Sequence, residues 1–204
     1  MSVASHLRLG RRRRPRQQRG RRRVEGLLSA AACVIAEDGY EAATMSSIAA
    51  HAHSAIGSLY QFFPNKEAVV EALRAQYLKE IKRLWAALAT EAGSLTIAGL
   101  VSRLIQLQIE FAEDHPAYLA LIGAPPTANS ARRREIIRSR IAEVILARKP
   151  EMLRSQAFRL AAVVQQALRG LLMLYGRADK RERAAILEEF NALLTGYLRA
   201  RLRI

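Results

Sequence analysis

The chain has 204 residues, half of them hydrophobic, which excludes a disordered protein and is enough to bury one core or two small ones. Its 33 Lys and Arg exceed its 18 Asp and Glu by 15, and ten of those Arg fall in residues 1–23, where no acid occurs. A charge gathered in one N-terminal arm points to a polyanionic partner, either nucleic acid or an anionic membrane surface. With only 11 Gly and 6 Pro among recurrent Ala, Leu and Arg, the expected fold class is all-α.

Residues 1–20 read as a basic, disordered arm, since Arg11 to Arg14, Pro15 and Gly20 offer no apolar face. From Val24 the pattern turns helical: Val24, Leu27, Leu28, Ala31, Val34 and Ile35 share a face, and Gly39 stops the helix. Thr44 is an N-cap for a second, short helix running to His51. A third covers about residues 55–62 before Pro64 breaks it. Asn65 caps a long fourth helix, Lys66 to about Glu91, with Val69, Val70, Leu73, Tyr77, Ile81 and Leu84 facing inward. Five more helices are expected near 95–114, 116–122, 129–148, 151–176 and 181–202, separated by Pro- and Gly-containing turns.

The last two helices are apolar on more than one face. Val163, Val164, Leu168, Leu171, Leu172 and Leu174 encircle one; Leu187, Phe190, Leu193, Leu194, Tyr197 and Leu198 cover the other broadly. One face meets the chain's own core and the other needs a partner, so residues 151–202 are expected to form a homodimer through four helices.

Thr44 to Lys66 carries the functional signal. Two short helices joined by a tight turn, with Ile48, Ala49, Ala52, Leu59 and Phe62 placed to pack together, form a helix-turn-helix. Small Ala49 lets the helices cross closely. The second helix then lies in a DNA major groove, where Ser58 and Gln61 exchange hydrogen bonds with base edges and Ile56 offers a methyl surface to thymine.

These residues resemble the tetracycline-repressor (TetR) family of transcriptional regulators. The resemblance rests on Gly39-Tyr40, Thr44, Ile48-Ala49, Gly57-Ser58-Leu59-Tyr60 and Phe63-Pro64-Asn65-Lys66-Glu67, and spans about residues 21–70. It implies a helix-turn-helix domain at 21–66 and a helical regulatory and dimerisation domain at 67–204. It also implies roles: Thr44, Tyr60 and Lys66 on DNA phosphates, fixing register; Ile56, Gly57, Ser58 and Gln61 on bases, with Gly57 allowing close approach. Three positions depart from the family pattern, one of them Ser54, where the family usually has an apolar residue. His53 stands where the turn usually has Gly, and Ala55 where the recognition helix usually has a Ser cap, so Ser54 is expected to cap one residue early.

Other features have plainer readings. Phe63 and Cys33 are expected in the core. His51 and His53 do not share a helix face and have no ligand cluster near them, so no metal and no cofactor is expected. Arg132 to Arg134, Arg138 and Arg140 read as a solvated face with Glu135 and Glu143. The arm is either an untethered tail or a minor-groove clamp. Without a Ser-His-Asp order, paired carboxylates or a phosphate loop, an enzyme is not expected. The apolar runs are interrupted well before the ~18 residues of a membrane span, and no secretory segment opens the chain, so a cytoplasmic location away from any membrane is expected.

The expected function is therefore a repressor that binds a pseudo-palindromic duplex operator as a dimer and leaves it when a small, mostly apolar effector fills a cavity. Leu104, Leu107, Phe111, Tyr118, Ile141 and Phe158 are spaced to line one, with Tyr118 and Gln165 supplying polar groups. Periodicity alone leaves a packed core equally open for the same residues. The rival function is a constitutive architectural protein that coats DNA through charge, without an effector.

Overall fold

The computed structural model describes residues 14–202. Among them are nine helices: α1 (Arg14–Ala42), α2 (Met45–His51), α3 (Ile56–Tyr60), α4 (Lys66–Glu91), α5 (Ile97–Asp114), α6 (Pro116–Gly123), α7 (Ser130–Arg148), α8 (Arg154–Tyr175) and α9 (Lys180–Arg201). The all-α expectation holds over the described residues, each predicted helix being present and, apart from the start of α1, within a few residues of its expected ends.

The first helix begins ten residues before Val24, inside the segment read as a disordered arm. Arg and Gln are strong helix formers, and here they extend a helix that is already nucleated by its apolar C-terminal half. Arg21 pairs with Glu25 one turn on, at 3.1 Å. Residues 1–13, the rest of that arm, lie outside the described residues. Near the other end Gly39 takes φ 79°, a left-handed conformation that interrupts α1 where a stop was expected. Leu27, Leu28, Ala31, Val34 and Ile35 are buried. Cys33 is exposed, contrary to its expected place in the core. Two residues past Ala31, it lies roughly 200° around the helix, on the opposite side.

Thr44 caps α2 in a reciprocal box. Its hydroxyl accepts from the Ser47 N–H at 3.0 Å, and the Ser47 hydroxyl accepts from the Thr44 N–H at 3.0 Å. Asn65 caps α4 by accepting from the Ala68 N–H at 2.9 Å. Thr96 and Asp179 cap α5 and α9 in the same way.

The helices pack as two connected layers. Helices α1, α2 and α3 enclose Ile48, Ala49 and Leu59, all buried. Phe62 was expected there but is 38% exposed; Phe63, one residue on, is the buried aromatic. The short α3 ends at Tyr60, and the turn that follows rotates Phe63 inward, its N–H bonding the Leu59 carbonyl at 2.9 Å. Beyond α4 the strongest packing is of α7 on α8, α4 on α7, α5 on α9 and α8 on α9. Helix α6 leans back on α1, so the N-terminal helices rest directly on the C-terminal body.

By length and composition α8 is apolar enough to cross a membrane, with mean hydropathy 1.3, although its sequence was expected to be too interrupted. The reason lies in its two apolar stripes. Ala161, Val164, Leu168, Leu171 and Leu172 fill the core, while Val163 and Leu174 are 47% and 52% exposed. Leu193 of α9 adds another exposed apolar side chain, at 58%.

Candidate functional site

Two regions carry the residues singled out by sequence, and the first is the surface of α3. Ile56 (42%) and Tyr60 (50%) are exposed large hydrophobics, and Gly57 and Gln61 are exposed beside them. Leu59 faces the other way and is fully buried, anchoring the helix. An exposed Ile and Tyr flanking a glycine form an apolar and hydrogen-bonding surface that nothing in the fold requires. A Cβ built on Gly57 would meet no atom within 4 Å, so the protein itself does not need glycine there.

The turn before α3 is strained at the position where sequence departs from the family pattern. His53 has φ 47°, the left-handed region that glycine occupies at little cost. Its N–H bonds the Ala50 carbonyl and the Ser54 N–H bonds the Ala49 carbonyl, both at 3.0 Å, which hold the turn closed. The expected early cap from Ser54 is not formed. Ala55 is the N-cap, with extended backbone and no side-chain bond. The N-terminal amides of α3 therefore lack a side-chain acceptor.

Thr44 and Lys66 were both expected to hold phosphates. The Thr44 N–H and hydroxyl are engaged by Ser47 in the capping box. The Lys66 ammonium donates to the Tyr40 carbonyl at 2.9 Å and the Glu41 carbonyl at 3.2 Å, and sits 4.5 Å over the Tyr40 ring. It ties the start of α4 to the end of α1.

The second region is a cavity of about 350 Å³ between α4, α6, α7 and α8. Of the residues predicted to line it, Tyr118, Ile141 and Gln165 do. Leu104, Leu107, Phe111 and Phe158 do not. Leu104 and Leu107 are buried on α5, which packs on α9 and α8. Phe111 stands one layer behind the wall, its ring edge-on to Tyr118 at 4.9 Å and to Tyr77 at 6.0 Å. Phe158 lies under the Arg138 guanidinium at 5.5 Å.

The sequence reading missed α4 as a wall. Tyr77, Leu78, Ile81 and Trp85 all face the cavity from it. Gln108 lines the cavity as well and is one of two buried polar side chains among the described residues. A polar residue inside an apolar stripe was the signal used for Gln165, and it would have found Gln108 on α5 too.

Among the described residues that line the cavity, two buried polar atoms find no partner in the protein. The Trp85 indole N–H and the Gln165 amide oxygen are buried without hydrogen-bond partners, although the Gln165 amide nitrogen donates to the Arg134 carbonyl at 2.9 Å. Burial pushes the Tyr118 hydroxyl up to about 12, against a small opposing effect of Arg169. Burial and nearby Glu80 do the same to Tyr77. Both phenols stay protonated donors at neutral pH.

At the cavity rim, Thr127, Asn129 and Arg133 all donate to the Glu71 carboxylate. Burial alone would raise the Glu71 pKa, but these bonds outweigh it and hold the carboxyl below its ordinary value. Arg74 donates to the Leu121, Pro125 and Ala124 carbonyls at 2.8, 3.1 and 3.4 Å, clamping the end of α6 to α4. The arginines at 132–134 were expected to be a solvated face. Arg133 is instead the half-buried partner of Glu71, because α7 turns that side toward α4.

Comparison with known proteins adds the following. The family described as "Bacterial regulatory proteins, tetR family" matches residues 27–73, and "Tetracyclin repressor-like, C-terminal domain" matches residues 96–198. A search of curated proteins gave no match. Among solved structures, a TetR-family transcriptional regulator from Streptomyces coelicolor is 25% identical, with TM-score 0.66, over 88% of this chain and 99% of that one. A TetR-family transcriptional regulator from Pectobacterium atrosepticum is 22% identical with TM-score 0.69, over 94% and 99%. SmeT, the repressor of the Stenotrophomonas maltophilia multidrug efflux pump SmeDEF, is 22% identical with TM-score 0.59, over 83% and 89%. The last two show a shared fold.

Proposed function

Because the chain belongs to the tetR family of bacterial regulatory proteins, we propose that it is a dimeric repressor that leaves its operator when the cavity between α4, α6, α7 and α8 is filled. One observation carries this reading: the cavity is walled by the two helices that also support the DNA-binding end. Helix α4 runs from the helix-turn-helix into the cavity wall, and α6, whose last residues line it, packs on α1. A ligand that prefers one setting of α6 and α4 therefore biases the position of α3.

In this reading α3 enters the major groove. Ile56, Gly57, Ser58 and Gln61 face bases; Tyr60, Thr44 and Lys66 meet phosphates; and Ser54 and Ala55 bring the backbone close to them. For Lys66 only one of the three ammonium donors remains for a phosphate, since two are held by α1 carbonyls. The exposed stripe of Val163, Leu174 and Leu193 is the dimer seam, which sets the spacing of the two α3 helices.

The test begins by selecting an operator from random duplexes, then following its complex by fluorescence anisotropy while candidate ligands are added. A compound that shifts the fluorescence of Trp85 should release the selected operator in the same concentration range. Ligand occupancy of the cavity without any change in operator affinity would contradict the proposal. Equal affinity for all duplexes would instead favour a charge-driven DNA coater.

A further inference from the structure

The geometry points to an anionic amphiphile as the occupant of this cavity: a carboxylate or phosphate head at an arginine rim, and an apolar body along α4 and α8. This inference rests on the reading of the cavity as the effector site, and adds the charge class of the effector.

Four arginines line the cavity from three helices: Arg74 on α4, Arg133 and Arg134 on α7, and Arg169 on α8. Among the described residues, no acidic side chain lines it. Three of these side chains are gathered near the end of α6. Arg74 reaches the Leu121, Ala124 and Pro125 carbonyls, and Arg169 donates to the Ile122 carbonyl at 2.9 Å. Arg133 reaches the Thr127 hydroxyl, in the connection that follows α6, at 2.6 Å and the Ser130 hydroxyl, at the start of α7, at 2.9 Å. Much of the rest of the lining is apolar, including Ile81, Trp85, Ile141, Leu168 and Leu172.

A plainer account is that these arginines only cap α6, since cations belong at helix C-termini. It covers Arg74 and Arg169 but leaves the charge unbalanced. Carbonyl dipoles orient a guanidinium without neutralising it, and among the described residues Glu71 is the one carboxylate paired within this group of arginines. The guanidiniums also feel one another. The Arg74 pKa is lowered first by burial and next by Arg133, with Arg169 adding to it. A ligand head with two or three acceptor oxygens relieves that repulsion and takes charge-assisted bonds, while a neutral or cationic head does neither. The buried Trp85 N–H offers a further donor at the apolar part of the wall.

Trp85 is the chain's single tryptophan, so its emission reports this cavity alone. The full-length protein is titrated, below micelle formation, with decanoate, decyl phosphate, decanol and decylammonium. We expect at least one anion to bind about ten-fold or more tighter than decanol, and decylammonium to bind weakest. The tighter of the two anions identifies the head as carboxylate or phosphate. Arg134→Gln with Arg169→Gln, two exposed positions, should close most of the gap between anion and alcohol. Decanol equal to both anions, decylammonium binding best, or a gap that survives the double substitution overturns the anionic assignment while leaving an effector cavity in place. If none of the four compounds changes Trp85 emission, the anionic assignment and the effector-cavity reading both fall.

Discussion

The Lys66 ammonium donates to the Tyr40 backbone carbonyl at 2.9 Å while resting 4.5 Å above the Tyr40 ring. A cation held at the last carbonyls of α1 satisfies acceptors that the left-handed turn at Gly39 leaves open. Lys66 thus fastens the end of α1 to the start of α4. Lys66→Ala should lower stability by about 1 kcal/mol in urea, in addition to weakening binding to every duplex. Unchanged stability would show that the contact is not sustained in solution. Tyr60→Phe, at an exposed site, should weaken binding uniformly with stability intact, which separates the two roles.

His53 gives a prediction of opposite sign. A non-glycine residue at φ 47° costs about 1–2 kcal/mol of backbone strain, part of which glycine gives back through its freer unfolded chain. His53→Gly should therefore raise stability by about 0.5–1 kcal/mol, seen as a higher Tm. A lower Tm would mean that the imidazole makes contacts that outweigh the strain.

Gly57 separates folding from DNA contact. Open space surrounds the position of a Cβ there, and alanine is the better helix former by about 0.5–1 kcal/mol. Gly57→Ala should leave the fold as stable or more so, while cutting operator affinity at least several-fold, because the added methyl occupies room reserved for the groove. Undiminished affinity would move α3 away from the bases.

The Glu71 cluster makes stability depend on acid. Its folded pKa lies below the ordinary 4.5, so the stabilisation from Thr127, Asn129 and Arg133 is fully present above that value. It is lost as pH falls through the lower folded value. Glu71→Gln should cost about 1 kcal/mol at neutral pH, and its deficit against the parent should shrink as pH drops below 4.5. A deficit constant with pH would show that the bonds do not depend on the charge.

Helix types and most helix ends were legible because periodicity and caps are local: Thr44, Asn65 and the alternating faces of α1 and α4 announce themselves in the chain. The α3 surface was legible for a similar reason, since its residues are consecutive. The cavity was not. Tyr118, Ile141 and Gln165 line it as expected, but Leu104, Leu107, Phe111 and Phe158 do not, because which face of α5 or α8 meets a void depends on neighbouring helices. Arg74 and Arg169 were invisible as a pair for the same reason: they sit 95 positions apart in the chain and meet only where α6 ends.

The two faces of α8 yield a contrast between adjacent turns. Leu174 is 52% exposed and Leu171 is fully buried. Leu174→Arg should give a folded monomer near the 22.7 kDa chain mass in sedimentation. Leu171→Arg should unfold the protein, because a charge buried among apolar side chains has no partner. A Leu174→Arg protein that remains dimeric would place the seam elsewhere.

In the proposed repressor, α3 of each subunit reads a specific operator. This is tested most directly by the ratio of dissociation constants for a selected pseudo-palindromic duplex and its scrambled counterpart, measured at physiological salt. The expected ratio is about 10³ or more, with two chains per duplex, and it should collapse in Gln61→Ala with Ser58→Ala. A ratio near one, with binding that simply fades as salt rises, would contradict it.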